Sequence, residues 1–146
     1  MKTLVIFESV HSNTEEIARS IGSGIDGDVK VVQVGDVKPA DLESLDLLII
    51  GSPTQTGKPL SSIQNFIKNA DESVIKGKKV AAFDTRLSTR VVKMLGYAAG
   101  KIGDNLKKRG GNLVAPPEAF FVKGLKGPLL DGEVERAAGW AKELAK

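Results

Sequence analysis

Five short apolar runs recur along the chain, separated by amphipathic stretches. Thr3-Leu4-Val5-Ile6-Phe7 is the first, and a continuous run of this length, rich in β-branched residues, reads as a strand buried on both faces. Val29 to Val34 reads as a second such strand. Leu47-Leu48-Ile49-Ile50 is a third, closed by Gly51, and Lys79-Val80-Ala81-Ala82-Phe83 a fourth, closed by Asp84. The fifth comes in two pieces, Asn112-Leu113-Val114 and Ala119-Phe120-Phe121-Val122, because Pro116-Pro117 cannot sit inside a central ladder.

Helical spacing fills the intervals. Ile17, Ala18, Ile21 and Ile25 mark a first helix with Ser12 or Asn13 as N-cap, and Ser12 with Glu15 has capping-box spacing. Ile63, Phe66 and Ile67 mark a second helix after Pro59. Ala98, Ala99, Ile102 and Leu106 mark a third, beginning near Tyr97 and ended by Gly110-Gly111. Val134, Ala137, Ala138, Ala141 and Leu144 mark the last, whose early Glu133 and Glu135 and late Lys142 suit the helix dipole. The stretch 39–45 has room for one weak helical turn. Strands alternating with amphipathic helices predict an α/β fold: a three-layer, doubly wound, five-stranded parallel sheet. No internal repeat or linker divides residues 1–146, so they read as one domain.

Composition narrows the chemistry. The chain has no Cys and a single His, His11. Thiolate nucleophiles, disulfides, Cys-held zinc and iron–sulfur clusters are excluded, as is a multi-His metal site within one chain. A hydrophobic fraction of 41 % is too high for a disordered chain. No stretch approaches the roughly 20 apolar residues that span a bilayer, and the apolar run before Glu8 is too short for a signal-peptide core, so a cytoplasmic protein is expected. The net charge of +3 hides an asymmetry: residues 1–75 carry 6 Lys/Arg and 11 Asp/Glu, residues 76–146 carry 15 and 7. The basic half either favours an acidic partner or forms ordinary solvated helix faces.

Open parallel sheets bind ligands beyond the carboxyl ends of their strands, at the switch point of strand order. The loop after the first strand, Glu8-Ser9-Val10-His11-Ser12-Asn13-Thr14, runs straight into a helix and carries no acidic side chain between Ser9 and Thr14. It is either an anion site built on a helix N-terminus or ordinary N-capping. The loop after the third strand, Gly51 to Pro59, is polar and free of anionic side chains. The connection after the fourth strand, Asp84-Thr85-Arg86-Leu87-Ser88-Thr89-Arg90 and on to Gly96, is long; it is either a ligand loop or a surface lid. Two motifs are decoys. Gly22-Ser23-Gly24-Ile25-Asp26-Gly27 matches G-x-G-x-x-G but follows a helix, and Gly51 to Lys58 has one residue too many between its glycines for a P-loop. A receiver-type phosphoacceptor would need an Asp at the end of the third strand, where Gly51-Ser52-Pro53 stands.

These loops resemble those of the flavodoxin family. Ser9-Val10-His11-Ser12-Asn13-Thr14 is similar to the family's phosphate loop, Ser/Thr-x-Thr-Gly-Asn-Thr, with His11 in place of Thr and Ser12 in place of Gly. Gly51-Ser52-Pro53-Thr54 resembles the second flavin loop and Asp84-Thr85-Arg86 the start of the third. The resemblance implies a noncovalent FMN site. Ser9, His11, Ser12, Asn13 and Thr14 would wrap the phosphate. Pro53, Thr54, Gln55, Thr56 and Gly57 would line one side of the flavin ring, and Asp84, Thr85, Arg86 and Leu87 the other. Gly96 and Tyr97 would close the site, Tyr97 either stacking on the ring or packing half-buried against the sheet. Gly57 is the hinge at which a loop peptide would reorient with redox state. His11 either donates to the phosphate or is solvated, and Trp140, at core spacing on the last helix, reads as packing. The resemblance implies an electron carrier between redox partner proteins; the basic half, with Arg86, Arg90 and Lys93 beside the third loop, suggests an acidic docking face on the partner, and no nucleic-acid or membrane partner is expected. An FMN-dependent NAD(P)H or quinone oxidoreductase, or an interaction domain without FMN, are the alternatives.

Overall fold

The computed structural model describes residues 1–87 and 97–146. The chain runs β1 (Lys2–Phe7), α1 (Asn13–Ser23), β2 (Asp28–Gln33), two 3₁₀ turns (Val34–Asp36 and Pro39–Leu42), β3 (Leu47–Pro53), α2 (Ser61–Asn69), α3 (Glu72–Ile75), β4 (Lys79–Leu87), α4 (Ala98–Lys108), β5 (Asn112–Leu113), β6 (Glu118–Val122) and α5 (Glu133–Leu144). Every pairing between strands is parallel, in the order β2-β1-β3-β4-β5, with β6 also on β4. The sheet is the doubly wound one expected. Its fifth strand is split at the double proline: β5 pairs with Lys79 and Val80, and β6 resumes opposite Phe83 to Leu87.

Alternation along the strands builds a core on each face. Val5, Phe7, Leu47, Ile49, Ala81 and Phe83 pack under α1 and α5 with Ile17, Ile21, Ala137 and Ala141. Leu4, Ile6, Leu48, Ile50, Val80 and Ala82 pack under α2, α3 and α4 with Ile63, Ile67, Ile75, Ile102 and Leu106. Trp140 belongs to the first core, edge-on to Phe83 and Phe120 with ring centroids 6.4 and 5.9 Å apart, which is the packing role its spacing predicts. Gly51 lies inside β3, because a Cβ there would stand 2.1 Å from the Phe83 ring.

Several local expectations are corrected. β2 is an edge strand with only Val32 buried, since one side of its ladder has no neighbour. β3 continues past Gly51 to Pro53, and β4 continues past Asp84 to Leu87, because β6 gives its polar end a partner. Helix α1 has no capping box: its N-cap, Ser12, is left-handed (φ 69°) and its side chain makes no capping bond. The same helix ends at Ser23, leaving Ile25 beyond it, and the short α3, capped by the Asp71 carboxylate on the Ser73 N–H at 3.0 Å, has too few residues to show periodicity.

A charged cluster ties α5 to the split strand. The Glu133 carboxylate, 7 % exposed, accepts from the Phe121 N–H at 2.8 Å and from Arg136 at 2.8 and 2.9 Å. Arg136 also lies over the Phe120 ring and reaches Glu118 at 3.1 Å. The Arg136 bond, helped by the Phe121 N–H, holds the Glu133 carboxyl below its ordinary value of 4.5 against the opposing effect of burial. As pH falls, the unfolded chain therefore takes up this proton first. The contribution is whole above about pH 4.5 and is lost as pH drops through the lower, folded-state value. Glu133→Gln is expected to lower stability at neutral pH by about 1 kcal/mol, with the gap to the parent closing in the acid range, read by urea unfolding at a series of pH values.

Candidate functional site

Strand order reverses between β1 and β3: the chain leaves β1 for β2 on one side and returns to build β3 and β4 on the other. Beyond the carboxyl ends at this switch point lies a cleft of about 370 Å³. One end is formed by Val10, His11, Asn13 and Thr14, one wall by residues 53–57, and the other by Thr85, Arg86 and Leu87 with Val122 and Leu125. Among the described residues, none that lines the cleft carries a carboxylate.

The first loop delivers a helix N-terminus to the cleft. The Ser12 side chain makes no capping bond, and the N–H groups of the first turn of α1 are left for other acceptors. Ser12 adopts the left-handed conformation that glycine takes without cost, at the position where the resemblance expects glycine. Asn13 is tucked against Gly127, whose missing Cβ would lie 2.5 Å from the Asn13 Oδ1. Thr14 is buried, and its hydroxyl meets that of Thr85 at 2.8 Å, fixing the start of α1 to the end of β4. The Ser9 Oγ is buried without a hydrogen-bond partner among the described residues. A buried hydroxyl left unpaired is costly, and this one belongs to the loop that leads into α1.

The second loop is a tight hairpin turn. Gln55 and Lys58 exchange two backbone bonds of 2.9 Å, and both central residues, Thr56 (φ 49°) and Gly57 (φ 76°), are left-handed. The Gly57 carbonyl accepts from the Lys101 ammonium on α4, so the turn is anchored from outside the cleft.

The third wall rests on Asp84, which is fully buried behind it. Its carboxylate accepts from Arg86 Nε and Nη2, both at 2.8 Å, from the Ala99 N–H at 2.9 Å and from the Thr54 hydroxyl at 3.1 Å. Thr54 in turn accepts from the Ala98 N–H at 3.0 Å, and its own N–H donates to the Thr85 carbonyl at 2.9 Å. Burial pushes the Asp84 carboxyl above its ordinary range, opposed by Arg86, Ala99 and Thr54. The Arg86 guanidinium carbon lies over the Tyr97 ring, 3.3 Å from its centroid.

Of the residues the sequence points to, His11, Asn13, Thr14, Pro53, Thr54, Gln55, Thr56, Gly57, Thr85, Arg86 and Leu87 come together at the cleft. Asp84 does not line it but holds Arg86 from behind, and Tyr97 sits under the Arg86 guanidinium. Ser9 and Ser12 belong to the first loop without forming its cleft surface. Gly96 lies outside the described residues, as do Arg90 and Lys93. Sequence reasoning missed Val10, Val122 and Leu125. The available signal was an apolar residue in a loop of small and charged ones: Leu125 is 81 % and Val10 50 % exposed.

Fold and site define a class: a doubly wound α/β protein with a cleft at the switch point, free of carboxylates among its described lining residues, and a helix N-terminus at one end. The family model of the flavodoxin domain matches residues 4–124, and the chain belongs to the flavodoxin family. A flavodoxin from the domain Archaea superimposes with a TM-score of 0.83 at 25 % identity, covering 99 % of this chain and 96 % of that one. Flavodoxin 1 from Bacillus cereus gives 0.79 at 26 %, covering 99 % and 97 %. The rubredoxin oxygen:oxidoreductase of Desulfovibrio gigas gives 0.78 at 17 %, covering 99 % of this chain but 35 % of that one, a likeness of fold. No curated protein matches at the level of sequence. Proteins of the flavodoxin family generally bind FMN. The residues here fit such a group: the orphaned Ser9 hydroxyl and the uncapped α1 suit a phosphate, and the two walls suit a flat ring.

The left-handed Ser12 is a strained position for a residue with a Cβ. Ser12→Gly is expected to raise stability by about 0.5–1 kcal/mol in denaturant unfolding, with FMN affinity kept or improved.

Proposed function

We propose that the protein is an FMN-binding electron carrier that passes electrons between redox partner proteins. The observation that carries this reading is the acid-free cleft set between an open helix N-terminus and two preformed walls. Ser9, His11, Asn13 and Thr14 would hold the phosphate through hydroxyls, side-chain donors and the N–H groups of α1. Residues 53–57 and Thr85 to Leu87 would hold the ring, and Gly57, already left-handed, would let its peptide reorient. Bound FMN would supply the electron storage that a chain without Cys or a metal cluster among its described residues does not offer by itself.

A carrier needs an open edge for its partner. Val10 and Leu125 stand exposed at the mouth, with Lys58, Lys123 and Lys126 exposed on the segments around it. A partner with an acidic docking face suits that rim, and attraction of this kind acts chiefly on the rate of encounter.

Purified protein mixed with FMN is expected to turn yellow and quench flavin fluorescence; a colourless protein that ignores added FMN sinks the reading. Ser9→Ala is expected to weaken FMN binding several-fold, and an unchanged affinity would remove Ser9 from the phosphate set. Under anaerobic conditions NADH or NADPH alone should leave the yellow colour, which a reductase protein then bleaches at a rate that falls with added salt. Direct bleaching by the nicotinamide would instead favour the oxidoreductase alternative, and a rate indifferent to salt would return the basic residues to a solvated surface.

A further inference from the structure

We propose that Arg86 is the positioning residue by which this protein favours the negatively charged, reduced form of its flavin: a fixed guanidinium presented by the wall of the cleft. The inference rests on FMN being the ligand.

Three observations carry it. The first is placement. Arg86 lines the cleft, whereas Asp84, its counter-charge, is fully buried and does not. The ion pair therefore shows its positive end to the ligand. The second is rigidity. Two nitrogens of the guanidinium bind the two carboxylate oxygens of Asp84 at 2.8 Å, its central carbon lies 3.3 Å from the Tyr97 ring centroid, and the Arg86 side chain is 11 % exposed. A fork held on one edge and stacked on one face has little freedom to swing into solvent and dilute its charge. The third is the balance of charge behind it. Asp84 also accepts from the Ala99 N–H and the Thr54 hydroxyl, so its negative charge is offset by three groups and not by Arg86 alone. Among the described lining residues there is no carboxylate to cancel the guanidinium.

The ring of oxidised FMN is uncharged. Two electrons from an outside donor and one proton from solvent leave one negative charge on it. A cation fixed in the wall stabilises that form and not the oxidised one, and a difference in affinity between the two forms is a shift in potential. The residue acts through charge, so a variant that keeps the charge should keep most of the effect even after losing the fork.

The test uses the full chain loaded with FMN. Affinity for oxidised FMN is read from fluorescence quenching, and the midpoint potential from a dye-equilibrated dithionite titration. Together they give the affinity for the reduced form. Arg86→Gln and Arg86→Met are expected to weaken reduced FMN about tenfold more than oxidised FMN, the order of one unit charge facing another in a partly desolvated site. That lowers the two-electron midpoint by about 30 mV. Arg86→Lys should restore most of the shift. Equal weakening of both forms in the charge-free variants, or the same shift in the Lys variant as in the Gln variant, would overturn the proposal and leave Arg86 as packing. Two charge-free variants of different shape guard against one failing to fold. Failure of the unsubstituted protein to bind FMN would overturn the underlying reading as well, whereas bound FMN with an unmoved potential overturns this inference alone.

Discussion

A carboxylate withdrawn completely from water at the end of a β-strand costs several kcal/mol unless donors surround it. Asp84 meets that condition with four hydrogen bonds drawn from three parts of the chain: Arg86 on its own strand, Thr54 at the end of β3, and Ala99 in the first turn of α4. The last is also where a helix dipole favours negative charge. Satisfying this one group thus fixes the start of α4, the entry to the second loop and the direction of the guanidinium. Removing any of the donors would leave the others holding a charge whose burial already pushes its proton affinity upward. The wall of the cleft depends on this buried anion more than on any residue at its surface.

Topology does the rest of the positioning. Because the chain reverses its winding between β1 and β3, the loops after these strands diverge and leave a gap, which neighbouring loops on one side of a sheet would fill. The Thr14–Thr85 hydroxyl pair spans the base of that gap, and the Phe83 ring, lying over Gly51, lets β3 and β4 stay in register up to it. The double proline has a consequence here as well. Pro116-Pro117 interrupts the fifth strand, and β6 resumes beside Phe83 to Leu87, so Val122 and the loop carrying Leu125 reach the cleft.

The fold was legible because strands buried on both faces leave unbroken apolar runs, and the double proline announced its own interruption. Where polar residues entered a ladder, the signal failed. Asp84, Thr85 and Arg86 read as loop by composition, yet β6 pairs with all three and β3 with the first two, and Asp84 is satisfied by Arg86, Thr54 and α4 while Thr85 meets Thr14 of α1. Val29 to Val34 read as fully buried, since apolarity alone does not tell a central strand from an edge one. The first loop was legible as a helix entry free of acids. The left-handed Ser12 was not, because Ser is a common N-cap in extended geometry and its letter says nothing about the sign of φ. Tyr97 was visible as an aromatic near the site; that its ring would support a guanidinium depends on a contact between strand end and helix start that no spacing reports.

The two scales of charge in this protein act separately. Most of the described Lys and Arg in residues 76–146 stand exposed, where salt screens interactions beyond about 8 Å under physiological conditions. Charge of that kind bears on how a partner approaches and on how fast, and it fades as ionic strength rises. Arg86 belongs to the other scale. It is held between a buried carboxylate and an aromatic ring with its side chain only 11 % exposed, and a charge so placed is screened less than one on an open face. A protein with the opposite net charge could keep the same field inside its cleft, and this one could lose most of its surface lysines without altering it. What a ligand meets at the carboxyl end of β4 is therefore set by Asp84, Arg86 and Tyr97, whatever the sign of the surface around them.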